Sequence, residues 1–133
     1  MKLLIDTNVF LEILLDQEKA EEARALLVEA GEHEFFISDY SLHSIGVLFF
    51  RRRQHHVFRE FVNDMVLETG MMVMAPMLEE IDSVIDAAQE FKLDFDDAYQ
   101  YATAEKYGLT IVSFDSDFDR TKRGRKTPAE VLP

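Results

Sequence analysis

The chain has 133 residues, 47% of them hydrophobic and 30% charged, with no cysteine and a formal net charge of −12. That length fits one domain over residues 1–133, with a core large enough to need no staple. Without cysteine there can be no disulfide, thiolate nucleophile or Cys-ligated metal centre, so a metal would be held by oxygen or histidine; the acidic balance opposes nucleic-acid binding unless basic residues cluster.

Leu3 to Ile5 reads as a buried strand that ends on Asp6. In the segment Thr7 to Leu15, Val9, Phe10, Ile13 and Leu14 recur at helical spacing, with Thr7 or Asp6 as cap. Asp6 and Glu12 interrupt the opening apolar run, unlike a secretory signal, and no stretch approaches the roughly 20 apolar residues of a membrane span. The cytoplasm is the expected location. A second helix is expected from Gln17 to Ala30, with Asp16 as N-cap, Ala20, Ala23, Leu26, Leu27 and Ala30 on one face, and Gly31 as stop.

Glu34 to Ile37 reads as a strand, and Ser38 or Asp39 caps a third helix with Leu42, Ile45, Leu48 and Phe49 on its apolar face. This helix runs into Arg51, Arg52 and Arg53. His55 to Glu68 forms a separate amphipathic helix closed by Gly70. Met71 to Met74 reads as a short buried strand whose methionines fill core gaps, with Pro76 at its exit. Leu78 to Phe91 is helical through Ile81, Val84, Ile85 and Ala88. A loop from Lys92 to Asp97 leads into a helix over Ala98 to Tyr107, stopped by Gly108. Leu109 to Ser113 is the last strong strand, the acidic run Phe114 to Asp119 follows it, and Ala129 to Leu132 is expected as a further edge strand.

Strands that alternate with helices imply a three-layer α/β/α fold around a mainly parallel sheet with right-handed crossovers. Strand C-termini and the following helix N-termini then share one sheet edge. Asp6, Asp97, Asp115 and Asp117 are delivered to that edge from distant parts of the sequence. Crowded carboxylates repel one another, and a divalent cation with a preference for oxygen, Mg²⁺ or Mn²⁺, relieves the repulsion. Water activated by such an ion can attack a phosphodiester, and the ion offsets the charge that develops. Asp96 and Asp119 read as structural caps.

The order Leu4-Ile5-Asp6-Thr7-Asn8, then Asp97-Ala98, then Ile111-Val112-Ser113-Phe114-Asp115-Ser116-Asp117-Phe118 resembles the PIN domain family over nearly the whole chain. The resemblance implies a Rossmann-like sheet of order 3-2-1-4-5 and a Mg²⁺- or Mn²⁺-dependent nuclease acting on RNA. It further implies a homodimer and, as in small prokaryotic VapC-type toxins, a cognate antitoxin. By position, Asp6, Asp97 and Asp115 resemble the metal-binding acids and Asp117 a supporting acid. Asn8 and Ser113 match polar positions that flank the site.

One departure concerns the helix after the second strand, where the family carries a glutamate and this chain has Ser44 with His43 beside it. Two explanations compete. Asp39 and His43, four residues apart on one helix face, supply a substitute carboxylate and an imidazole, or the site is weakened and the chain binds with little turnover. Nine of the fourteen basic residues lie in two segments, Arg51, Arg52, Arg53 and Arg59, then Arg120, Lys122, Arg123, Arg125 and Lys126. Arg51 to Arg53 and the cluster from Arg120 to Lys126 are candidates for guiding RNA toward the acidic edge, against a bland reading in which Arg51 to Arg53 complement a helix dipole.

Two phosphate-handling classes fail on spacing. A haloacid-dehalogenase-like phosphatase needs a second aspartate at the position of Asn8, and a receiver domain needs paired acids after the first strand and a lysine after the last. The remaining rival is a PIN-fold RNA-binding or protein-interaction module whose acids serve as caps.

Overall fold

The computed structural model describes residues 1–28 and 32–132. Four parallel strands form one sheet in the order β3-β2-β1-β4, where β1 is Lys2–Ile5, β2 is Glu34–Ser38, β3 is Met72–Met74 and β4 is Thr110–Val112. β1 therefore lies at the sheet centre, hydrogen-bonded to β2 on one side and β4 on the other. The Rossmann-like order expected from the family resemblance holds for these four strands.

Six α-helices connect them: α1 Thr7–Leu14, α2 Ala20–Leu27, α3 Asp39–Arg51, α4 His55–Phe61, α5 Ile81–Phe91 and α6 Phe95–Tyr107. Because side chains alternate along a strand, Leu3 and Ile5 of β1 enter one core layer and Leu4 the other. The first layer packs Phe10, Phe49 and Phe61 beneath α1, α3 and α4; the second packs Val84, Tyr101 and Phe118 beneath α5 and α6. Both faces of the sheet are thus covered, which gives the expected three layers.

Several local expectations change. Asp16 does not cap α2; it sits in the left-handed region at φ 49°, the N-cap is Lys19, and the Glu12 carboxylate accepts the Lys19 N–H at 3.0 Å. Ala30 and Gly31 lie outside the described residues. The helix begun at His55 widens into a π-helical turn over Val62–Leu67. α6 starts three residues earlier than expected, because the Asp94 carboxylate accepts the Asp97 N–H at 3.0 Å.

The methionine strand is not buried. β3 is the outer strand, with Met72 53% and Val73 48% exposed, and only the neighbouring Met71 belongs to the core. Ala129 to Leu132 is not a strand either. Pro128 brings no N–H to a ladder, and Thr127 and Glu130 cap each other across a 3₁₀ turn over Pro128–Val131. A fifth sheet position exists only as a bridge between Val112 and Lys126.

Candidate functional site

Between β1 and β4 the connections turn to opposite sides of the sheet, and the acidic residues collect at the carboxyl ends of these strands. Asp6 is the first residue beyond β1 and the N-cap of α1. Its Oδ1 accepts the Thr7 N–H at 2.9 Å and the Gln100 amide at 2.8 Å. Its Oδ2 accepts the Ser113 hydroxyl at 2.7 Å and the Asn8 amide at 3.3 Å. Burial pushes the Asp6 pKa up, and the hydrogen bonds from Ser113, Gln100 and Thr7 pull it back.

Ser113 and Asn8 pass this order on to the segment after β4. Ser113 Oγ also accepts the Asp115 N–H at 2.9 Å, and Asn8 Oδ1 accepts the Phe114 N–H at 3.1 Å. Asp115 Oδ1 in turn accepts the Asp117 N–H at 2.8 Å, starting the 3₁₀ turn over Ser116–Arg120. Asp97, in the first turn of α6, comes from the other direction.

Asp97, Asp115 and Asp117 each bring one carboxylate oxygen to within 4.8 Å of the others. Burial pushes the Asp97 pKa up to about 8, with the charges of Asp115, Asp94 and Asp6 adding to the effect. Among the described residues, only Asp117 of this trio has a cationic partner, Arg120 at 3.0 Å. Three hard oxygen donors whose mutual repulsion Arg120 relieves only in part are the chemistry that suits a divalent cation, so the residues present fit such an ion. Asp6 lines the same cleft, of about 330 Å³, together with Asn8, Tyr40, Ser44, Asp94, Asp96, Asp97 and Asp115.

Asp94, Asp96, Tyr40 and Gln100 are site residues that the sequence did not single out as such. Asp96, read as a cap, faces the cleft, where burial and then the Asp96 carboxylate push the Tyr40 pKa up to about 12. Gln100 and Ser41 are buried beside Asp6.

Ser44 lines the cleft at the place where the family glutamate is expected, whereas Asp39 and His43 do not. Tyr40 and Ser44 are one helical turn apart, and residues one position earlier are rotated by about 100°. Asp39 and His43 accordingly line an adjacent apolar groove with Gly46, Phe50 and Phe58. The Asp39 carboxylate there accepts the Tyr99 hydroxyl, at 3.0 and 3.2 Å from its two oxygens.

The basic segments differ in the same way. Arg120 donates to the carbonyls of Phe91 and Lys92 as well as to Asp117, Arg123 donates to Leu109 O, and Arg125 binds Ser113 O and Asp119. Lys126 carries the sheet bridge, and Lys122 lines a separate pocket with Asp86, Glu90 and Glu105. Arg52 donates to Gln54. Arg51 and Arg53 are exposed and make no ion pair among the described residues, and Arg51 ends a groove that shares Leu11, Tyr40 and Ser44 with the acidic cleft.

Comparison with solved structures gives matches across almost the full length. A toxin–antitoxin complex from Klebsiella pneumoniae is 26% identical with a TM-score of 0.74, covering 97% of this chain and 99% of that one. FitAcB from Neisseria gonorrhoeae is 20% identical with a TM-score of 0.71, covering 95% and 97%. VapBC2 from Rickettsia felis, solved bound to a DNA fragment from its promoter, shares the fold at 12% identity and a TM-score of 0.74, again covering 95% and 97%. Comparison with curated proteins returns no sequence match. The family model described as PIN domain matches residues 3–124, and PIN domains are generally nucleases. With the strand order, the strand-end aspartate and the acidic cleft in agreement, the chain belongs to the PIN domain family.

Proposed function

We propose that this chain is an endoribonuclease dependent on Mg²⁺ or Mn²⁺ and acts as the toxin of a toxin–antitoxin pair. The observation that carries the reading is the convergence of Asp97, Asp115 and Asp117, each bringing a carboxylate oxygen to within 4.8 Å of the others beside the cleft that Asp6 lines. Family membership supports nuclease chemistry, and the similarity to a toxin–antitoxin complex supports an antitoxin partner.

Asp97, Asp115 and Asp117 would hold the cation, with Asp6 as a fourth carboxylate at the cleft floor. A bound divalent cation would supply Lewis-acid activation of water and offset negative charge on the phosphodiester as a P–O bond forms to water and the bond to the leaving ribose oxygen breaks. Ser113 holds Asp6 and the Asp115 backbone together, which fixes the angle between the two acids. Asn8 braces the same turn from α1. Arg51, which lines the adjoining groove and makes no ion pair among the described residues, is the candidate for attracting RNA phosphate, while the internally bonded Arg120, Arg123 and Arg125 hold the tail in place.

The test is cleavage of a mixed RNA pool with Mn²⁺ by wild type and by Asp97→Asn. Wild type should cleave and the variant should not; equal cleavage by both refutes the assignment. A second reading, an RNA- or protein-binding module with weak turnover, is favoured by Ser44 in the cleft. It predicts a Mn²⁺ isotherm without cleavage.

A further inference from the structure

Gln100 is 1% exposed and sits on α6 one turn after Asp97. Its Nε2 spends both protons, one on Asp6 Oδ1 at 2.8 Å and one on Ser41 Oγ at 2.9 Å. Its Oε1 is buried without any hydrogen-bond partner, the one such side-chain atom among the described residues. A buried unpaired carbonyl costs about 1–3 kcal/mol, and a leucine or methionine would fill the same space without that cost. Turning the amide over does not help, because it would set Oε1 against the Asp6 carboxylate, acceptor against acceptor.

The direction of the amide is therefore dictated by Asp6. Around that carboxylate every donor is neutral: the Thr7 N–H, the Asn8 amide, the Ser113 hydroxyl and the Gln100 amide. Thr7 and Asn8 come from α1 and Ser113 from the end of β4. Gln100 alone among these four comes from α6, the helix that carries Asp97, and through Ser41 it also reaches α3 one turn before Ser44. Removal of this amide would leave α6 with no hydrogen bond to Asp6 among the described residues.

We propose that Gln100 is a positioning residue for the acidic centre: it sets the orientation of Asp6 relative to Asp97. This rests on the metal-dependent reading above. Gln100 acts through Asp6, and its stranded oxygen marks a site where core packing has yielded to the needs of the carboxylate.

The test is calorimetric titration of the full chain with Mn²⁺, alongside thermal unfolding without metal, for wild type and Gln100→Met. Methionine keeps the length and removes both donors and the stranded acceptor. We expect the melting temperature to stay within about 5 °C of wild type, because loss of the two amide hydrogen bonds is largely offset by loss of the unpaired oxygen. The Mn²⁺ dissociation constant should rise about tenfold or more. An unchanged dissociation constant overturns the proposal, as does a large fall in melting temperature with affinity retained, which would make Gln100 a stability residue. If Gln100→Met does not fold, Ser41→Ala removes the second anchor of the amide, together with the acceptor of the Thr7 and Ser38 hydroxyls, and should still weaken Mn²⁺; equal affinity then overturns the proposal. A wild-type chain that gives no Mn²⁺ isotherm fails differently, since it removes the metal-dependent reading and this inference with it.

Discussion

Replacement of Asp97 by asparagine should make the metal-free protein more stable, although it destroys the site. The carboxylate oxygens of Asp97, Asp115 and Asp117 lie no more than 4.8 Å apart. Two full charges at that separation repel by about 3 kcal/mol at an effective dielectric constant of about 20. Arg120 offsets part of this at Asp117, and salt screens the exposed side of the cleft. A net gain of about 2 kcal/mol at pH 8 is expected for Asp97→Asn, equivalent to a rise of about 5–10 °C in melting temperature for a chain of this size.

The pH dependence follows from the raised pKa. Between its ordinary value of 3.8 and about 8, Asp97 keeps a proton in the folded protein that it loses in the unfolded chain. Metal-free stability of wild type therefore falls as pH rises through that window, and burial of Asp6 pushes in the same direction. At pH 5 only the first part of that fall has occurred, so the advantage of asparagine should be much smaller than at pH 8. The assay is thermal unfolding by circular dichroism at pH 5 and pH 8, with a chelator and then with Mn²⁺. Wild type should gain stability from Mn²⁺ at pH 8, and Asp97→Asn should gain little. A variant that melts below wild type at pH 8 without metal, or that responds to Mn²⁺ as wild type does, refutes the reasoning.

Asp6→Ala should behave in the opposite way. It leaves the buried donors of Ser113 and Gln100 without their acceptor and should cost about 2–3 kcal/mol in urea denaturation; a neutral effect would mean that the four-donor cage is not formed. Arg51→Ala should weaken RNA binding and lower its salt slope by about one while the melting temperature holds, measured by fluorescence anisotropy across a salt series. Arg125→Ala should do the reverse, with about 1–2 kcal/mol of stability lost together with its bonds to Ser113 O and Asp119. Gly46→Val should cost about 1–3 kcal/mol by thermal unfolding, since even a Cβ at that position would stand 3.1 Å from Phe58 Cζ.

Much of the architecture was legible because periodicity and termini agreed. The run Leu3 to Ile5, Asp6 as cap and Gly108 as the left-handed stop of α6 each stand where local chemistry requires. What escaped depended on non-local geometry. Met72 and Val73 are as apolar as a central strand, and nothing in their identity reveals that no further strand lies beyond them. Ala129 to Leu132 has strand-like composition, but Pro128 and the Thr127–Glu130 cap decide its conformation. Within the site, the acids at strand ends and helix starts could be named from spacing. Gln100 could not, because a glutamine inside a helix carries no signal until the fold brings it 2.8 Å from a residue 94 positions away. The pairing of Arg120, Arg123 and Arg125 with backbone carbonyls was hidden for the same reason: charge density counts basic residues without showing which are already engaged.

The neutral cage around Asp6 separates two events that many metalloproteins join. Where ligands have no other means of compensation, the ion is needed to fold the chain, and a chelator denatures it. Here the most buried acid is satisfied by four donors of the protein itself, and both core layers close without contribution from the cleft. The chain can thus be synthesised, folded and delivered to a partner before any cation is loaded. If the proposed metal dependence holds, a chelator should silence the chain reversibly, with the scaffold intact.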